Sequence, residues 1–194
     1  SLGMVLKGHE TTVPVTMADM LYHAANVARV GRHALRVVDM PYMSYANPEQ
    51  ALGNAARLVA EGGADMVKLE GGQDKADIVR HLVSHDIPVC GHIGLLPQSI
   101  EELGGYRVQG RDEAGARALL ADAQALEAAG ATLLVMECIP AELAALITSS
   151  VRMPTIGIGA GPDCDGQVLV LYDMLGITPG KVPKFVRNFL QGTG

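Results

Sequence analysis

The chain has 194 residues, of which 48% are apolar and 19% charged, and this balance excludes a disordered segment and a collagen-like repeat. A formal charge of −6, with 15 Lys and Arg against 21 Asp and Glu, argues against a nucleic acid partner. No apolar run reaches the roughly 20 residues of a bilayer span, so no membrane association is predicted. Three cysteines without CxxC spacing predict a reducing, cytoplasmic environment.

Short apolar segments alternate along the chain with longer helical segments, which predicts an α/β fold. Helix starts are indicated by Thr16 with Asp19, by Asn47 followed by Pro48, and by Asp112. Most of the apolar segments lack polar alternation, so we expect a parallel sheet that is buried on both faces. The six predicted strands are 35–38, 66–69, 87–90, 133–136, 155–158 and 168–171.

Four polar residues, Asp39, Glu70, His92 and Glu137, stand at the carboxyl ends of predicted strands. In parallel α/β folds, that edge of the sheet carries the reacting groups. A single polar residue at a strand exit is as often an ordinary solvated loop residue, but the joint placement of four favours a site.

The acidic residues of this group would repel one another unless a cation or a shared proton compensates. Oxygen ligands without cysteine or paired histidine favour Mg²⁺. Lys68 lies two residues before Glu70, so both side chains point to the same side of their strand. Lys68 is interpreted either as half of a buried ion pair or, preferably, as the ligand of a substrate carboxylate.

Two glycine-rich segments complete the candidate motifs. His92 is flanked by Gly91 and Gly94, which would let a ligand approach the backbone. The run from Gly157 to Gly161 is similar to phosphate-binding loops but lacks the GxGxxG spacing, so tight backbone packing is at least as good an explanation.

At these residues the sequence closely resembles the ketopantoate hydroxymethyltransferase family, over essentially the whole chain. So many ordered matches are more specific than any single motif. The matching segments are Ser1–Met4, Gly8–Val15, Asp39–Met43, Val67–Gly72, Gly91–Gly94, Gly104–Arg111 and Gly157–Gly161.

The resemblance implies a TIM (β/α)₈ barrel of the phosphoenolpyruvate/pyruvate type, formed by residues 1–194 as one domain, and a homo-oligomer, commonly a decamer. It implies transfer of a hydroxymethyl group from 5,10-methylenetetrahydrofolate to 3-methyl-2-oxobutanoate, giving 2-dehydropantoate through a Mg²⁺-stabilised enolate. The roles carried over are metal ligands at Asp39 and Glu70, keto acid contacts at Ser1, Asp39, Lys68 and His92, and the general base at Glu137.

The family has an Asp ligand immediately before the position of Ser1, on an earlier strand. Since a complete barrel takes roughly 250 residues, we expect that the opening strands of the barrel and the family's C-terminal extension are absent from this chain. Two alternatives to the transferase remain at this stage. One is a Mg²⁺-dependent carbon–carbon lyase of the same barrel group, and the other is a non-catalytic barrel fragment that binds a keto acid.

Overall fold

The computed structural model describes residues 2–100, 107–178 and 182–192. Each of the first five strands is preceded by a helix, which confirms the predicted α/β class. Single turns of other helix types occur at Leu2–Leu6, Gln73–Lys75 and Pro97–Ser99. The strands are β1 (Val37–Asp39), β2 (Met66–Glu70), β3 (Val89–Gly94), β4 (Leu133–Glu137), β5 (Thr155–Ile158) and β6 (Gly166–Gln167). The α-helices are α1 (Met17–Val30), α2 (Pro48–Ala60), α3 (Ala76–Val83), α4 (Glu113–Ala128), α5 (Ala141–Ser150) and α6 (Leu171–Met174).

The helices begin where the sequence predicts. Thr16 and Asp19 form a reciprocal capping box at the start of α1. The Asn47 side chain accepts a hydrogen bond from the Gln50 N–H at the start of α2, and Asp112 caps α4 in the same way. These caps satisfy backbone N–H groups that a helix leaves unpaired at its first turn.

The strands pair in chain order, from β1 to β6, and every pair is parallel. Helices α1 to α5 contact one another in the same order, and α1, α2 and α3 contact β1, β2 and β3. No helix within the described ranges is both long enough and apolar enough to cross a bilayer. The core between sheet and helices contains Val67, Leu69, Leu134 and Met136 from the strands and Leu58, Leu82, Leu126 and Ile147 from the helices.

Burial on both faces holds for only part of the sheet. All six residues of β3 are buried, whereas in β4 and β5 buried and partly buried residues alternate. The buried residues of β4, Leu134 and Met136, pack in the core against the helices. The partly buried residues of β4 therefore lie on the opposite face of the sheet. That face is not completely packed, so it can border an open pocket.

The predicted strand at 168–171 is wrong. Only Gly166 and Gln167 pair with β5, and the Val168 N–H adds one further hydrogen bond to the carbonyl of Gly157. Leu171 begins α6 and is 61% exposed. A four-residue apolar run carries too little periodicity to separate a strand from the start of a helix.

Gly94, the last residue of β3, provides a test of how closely β3 packs against the end of β4. Its φ is +92°, and a Cβ atom there would lie 2.2 Å from the carbonyl oxygen of Glu137. We expect Gly94→Ala to lower the free energy of unfolding by about 3 kcal/mol, measured by urea denaturation. The cost of placing alanine at a positive φ adds to the cost of the clash with the Glu137 carbonyl.

The matched control is Gly53→Ala in α2, where a new Cβ meets nothing within 4 Å. This substitution should raise the free energy of unfolding by up to about 1 kcal/mol, since alanine is the better helix former. Equal stabilities of the two variants would contradict the packing at Gly94.

Candidate functional site

The register of the sheet brings the predicted site residues to one face. Asp39 lies beside Lys68 across β1 and β2, and Glu70 lies beside His92 across β2 and β3. Directly paired residues of parallel strands point to the same side, and so do residues two apart in one strand. Glu137 is paired with Gly94, two residues after His92, and therefore joins this face.

These five side chains line a pocket of about 130 Å³ at the carboxyl ends of the strands. Its wall also includes apolar residues from the N-terminal segment and from the loop after β1. The sequence thus identifies five residues that the fold places together, while Ser1 lies outside the described residues. The pocket-lining members are Asp39, Lys68, Glu70, His92 and Glu137.

Lys68 and Asp39 form an ion pair inside the pocket, with 2.5 Å between Nζ and Oδ1. Burial favours the neutral form of each group, but their mutual attraction outweighs it. The pKa of Lys68 therefore lies above its ordinary value and that of Asp39 below its own. The Lys68 side chain is mostly buried, whereas half of the Asp39 side chain is exposed. The pair with Asp39 therefore favours the ammonium form of Lys68 in the pocket.

His92 is held in one neutral tautomer. Lys68 Nζ lies 3.2 Å from His92 Nδ1, and because an ammonium can only donate, Nδ1 must accept. Burial drives the His92 pKa well below its ordinary value, so the ring is neutral and its proton is on Nε2. That Nε2 lies 3.1 Å from Glu137 Oε2, yet it is fully buried and lacks a well-aligned hydrogen-bond acceptor among the described residues.

Glu137 has the electrostatics of a general base. Burial raises its pKa to about 7, against the opposing attraction of the Lys68 charge. A carboxylate with a pKa near neutrality can accept a proton and release it again at physiological pH. Position, tautomer of the neighbouring ring and pKa therefore all fit proton transfer at Glu137.

Glu70 is the other carboxylate that burial perturbs. Its side chain is 8% exposed, and its pKa is raised to about 7, against the Lys68 charge and the hydrogen bond from Gln98. The Gln98 N–H donates to Oε2 at 3.0 Å, whereas Oε1 lies 4.0 Å from His92 Nδ1. One carboxylate oxygen of Glu70 is thus anchored and the other lies near the ring.

Asp39 and Glu70 fit a magnesium ion by the chemistry of their donors. Both offer carboxylate oxygens on one pocket wall, and Mg²⁺ is usually bound by one or two carboxylates with waters or substrate completing the shell. Within the described ranges, no group of three or more His, Cys, Asp or Glu side chains is arranged to hold a metal ion. The described residues thus supply two candidate ligands and no all-protein cage.

The glycine run after β5 is explained by packing. A Cβ at Gly161 would lie 2.4 Å from the Cβ of Ala141, and one at Gly159 would lie 2.8 Å from the Phe185 ring. Both glycines also have positive φ. Of the two explanations offered for this run, close backbone packing is the one that these contacts support.

Sequence reasoning missed two residues at the site, Tyr45 and Gln98. Tyr45 is buried in the loop after β1, and its hydroxyl donates to Gln98 Oε1 at 2.8 Å. A tyrosine near a strand end is a weak signal, since its burial is not visible in sequence. Gln98 gives no signal, because its main contact to the site uses its backbone N–H.

Solved structures of low sequence identity share this fold. Oxaloacetate acetylhydrolase, bound to the inhibitor 3,3-difluorooxalacetate, matches 90% of this chain and 62% of its own, with a TM-score of 0.60 and 13% identity. The structure of 2,3-dimethylmalate lyase, described as a PEP mutase/isocitrate lyase superfamily member, matches 90% of this chain and 61% of its own, with a TM-score of 0.58 and 14% identity. The chain spans about three fifths of these two proteins, and the likeness concerns the fold.

Curated relatives are much more similar in sequence. The 3-methyl-2-oxobutanoate hydroxymethyltransferase of Nitrosococcus oceani is 60% identical over 193 residues, covering 100% of this chain and 73% of the relative. The enzyme of the same name from Alkalilimnicola ehrlichii is 59% identical over 194 residues, covering 100% of this chain and 70% of the relative. The family model described as ketopantoate hydroxymethyltransferase matches residues 1–194. With its whole length matched and the expected residues gathered in one pocket, the chain belongs to the ketopantoate hydroxymethyltransferase family.

Proposed function

We propose that this chain transfers a hydroxymethyl group from 5,10-methylenetetrahydrofolate to 3-methyl-2-oxobutanoate, forming 2-dehydropantoate for pantothenate biosynthesis. Family membership and the names of its relatives support the reaction. The structural observation that carries the proposal is a buried carboxylate with a pKa near neutrality and an ammonium in one pocket. Glu137 has a pKa near 7, and Lys68 stays charged on the same wall.

The keto acid would bind through its negative end. Lys68 is the cationic side chain of the pocket wall and can share its ammonium between Asp39 and a substrate carboxylate. The buried His92 Nε2–H, which lacks an aligned acceptor, can donate to a substrate oxygen. These two donors would hold the planar oxo acid with its C3 carbon toward the base, and Ser1 is proposed as a further contact.

Glu137 would then remove the proton on C3 of the keto acid. The proton passes to a carboxylate oxygen, and the electron pair of the C–H bond is delocalised onto the keto oxygen as an enolate. Bound Mg²⁺, held by Asp39 and Glu70, would supply Lewis-acid polarisation of that keto oxygen. The enolate carbon then forms a bond to the one-carbon unit of the folate, water supplies the hydroxyl oxygen, and both bonds from that unit to the folate nitrogens break. The proton taken by Glu137 and one proton of the water pass to those nitrogens, so tetrahydrofolate leaves, and the protein holds the reactants in position throughout.

The test is product formation with both substrates and Mg²⁺, detected as 2-dehydropantoate by mass spectrometry. Without folate, the protein should still exchange the C3 hydrogen of 3-methyl-2-oxobutanoate for deuterium from D₂O, because proton removal needs only the base. Cleavage of a 2-oxo acid without folate would instead support the lyase alternative. Binding of the keto acid with neither exchange nor product would support the non-catalytic alternative.

The pH dependence follows from the raised pKa of the base. Glu137 must be ionised to accept a proton, so at saturating Mg²⁺ kcat/KM should rise about tenfold per pH unit below pH 7 and level off above it. The measurement is the initial rate between pH 5.5 and 8.5 in buffers of constant ionic strength. A flat profile across this range would contradict a base with a pKa of about 7.

We infer further that the six-stranded parallel sheet is part of a (β/α)₈ barrel of the phosphoenolpyruvate/pyruvate type and that residues 1–194 act as one domain. Parallel strands in chain order, and one hydrophobic core cluster among the residues that the structure describes, support this inference. A cytoplasmic location and assembly into a homo-oligomer, commonly a decamer in the family, are proposed on family resemblance alone. Sedimentation of the purified protein measures the assembly directly.

A further inference from the structure

The buried hydroxyl of Tyr45 joins two backbone segments at the site. It donates to Gln98 Oε1 at 2.8 Å and accepts from the Glu70 N–H at 3.3 Å. The direction of both bonds is forced, because an amide oxygen can only accept and a backbone N–H can only donate. Tyr45 is 7% exposed, so neither partner can easily replace the hydroxyl with water.

Gln98 extends this network to the end of β1. Its side-chain Nε2 donates to the carbonyl of Met40 at 2.9 Å, and its backbone N–H donates to Glu70 Oε2 at 3.0 Å. Met40 is fully buried and follows Asp39 directly. The side-chain amide of Gln98 thus bonds to Tyr45 and to the segment that carries Asp39, and its backbone N–H bonds to Glu70.

The network links the backbone segments that carry the two carboxylates. Asp39 ends β1 and Glu70 ends β2, and Gln98 comes from the loop after β3. Regular sheet pairing ends at Asp39 opposite Lys68, with one further backbone hydrogen bond from the Met40 N–H to the Lys68 carbonyl at 2.8 Å. The bonds of Tyr45 and Gln98 add a second connection between the two strand ends. Carboxylates that share one cation must be held to within a fraction of an ångström.

We propose that Tyr45 and Gln98 are positioning residues that hold Asp39 and Glu70 as a preformed pair for a divalent cation. This inference rests on the proposed function, which assigns the cation to these carboxylates. Partners that orient metal ligands typically contribute about 10- to 100-fold to metal affinity. The expected effect of losing either residue is therefore on cation binding and less on the chemical step.

The experiment uses the whole protein with Tyr45→Phe or Gln98→Met. The first variant keeps the buried ring and removes the hydroxyl, and the second keeps the chain length and the backbone N–H while removing the amide. Tyr22→Phe is the control, because Tyr22 is 68% exposed on α1. Mg²⁺ alone is titrated by calorimetry, and the Mg²⁺ concentration for half-maximal activity and Tm are measured in parallel.

For both variants we expect the Kd for Mg²⁺ to rise about 10- to 100-fold, with kcat at saturating Mg²⁺ within a few-fold of wild type. Tyr22→Phe should match wild type in all three measurements. A lowered Tm with Mg²⁺ affinity within twofold of wild type would show a purely structural role and overturn the inference while leaving the proposed function intact. A wild-type protein that neither binds Mg²⁺ nor forms product would overturn the proposed function, and the inference with it.

Discussion

Glu137→Gln is expected to lower kcat by about 10²- to 10⁴-fold, the usual contribution of a general base. Glutamine keeps the size of the side chain and can still contact His92 Nε2 through its amide oxygen, so the pocket should keep its shape. It cannot accept the C3 proton. The measurement is kcat for folate-dependent product formation, together with the rate of C3 deuterium exchange in the absence of folate.

The control for this substitution is Glu142→Gln, at an exposed position in the first turn of α5. It removes one negative charge from the helix that follows β4. Because Glu142 does not line the pocket, kcat should not change. If Glu137→Gln retained wild-type exchange and turnover, another group would have to remove the proton and the assignment of Glu137 would be wrong.

Lys68→Met is expected to raise the KM for 3-methyl-2-oxobutanoate by about 10- to 100-fold, since a hydrogen bond to a charged group contributes about 1.5–3 kcal/mol. The ammonium is the proposed partner of the substrate carboxylate and the present partner of Asp39. Its loss also leaves Asp39 without a compensating charge, so burial, no longer opposed by the Lys68 charge, should raise the Asp39 pKa. The measurement is the dependence of the initial rate on keto acid concentration.

Lys184→Met, at an exposed position near the C-terminus, changes the net charge equally and should leave KM unaltered. A variant at Lys68 with normal KM but a lowered Tm would favour the other interpretation of this residue, a buried ion pair that only stabilises the fold. Substrate protection offers a second readout. The keto acid should raise the Tm of wild type by more than that of Lys68→Met, because only wild type has the ammonium that we propose it binds.

The site was largely predictable because its residues stand at strand ends. A short apolar segment followed by Glu or Asp is visible in one sequence, and parallel strands bring their carboxyl ends to the same edge. The same-side placement of Lys68 and Glu70 follows from a period of two residues and needs no tertiary information. The order in which strands pair is what the sequence leaves open, and here it is the chain order.

What escaped prediction depends on contacts between distant loops. Tyr45 and Gln98 are 53 residues apart and meet through hydrogen bonds that no local pattern encodes. The tautomer of His92 likewise follows from the position of Lys68 on the neighbouring strand. The error at 168–171 was local, because one short apolar run is compatible both with a strand and with the start of a helix.

The pairing of each strand with the next one along the chain also bears on how the pocket would form during folding. The Asp39–Lys68 contact needs only the first two strands, His92 arrives with the third, and Glu137 arrives with the fourth. Each addition closes a loop between neighbouring segments, which costs less conformational entropy than pairing segments from opposite ends of the chain. A growing polypeptide could therefore assemble the Asp39–Lys68 side of the pocket first and receive Glu137 last.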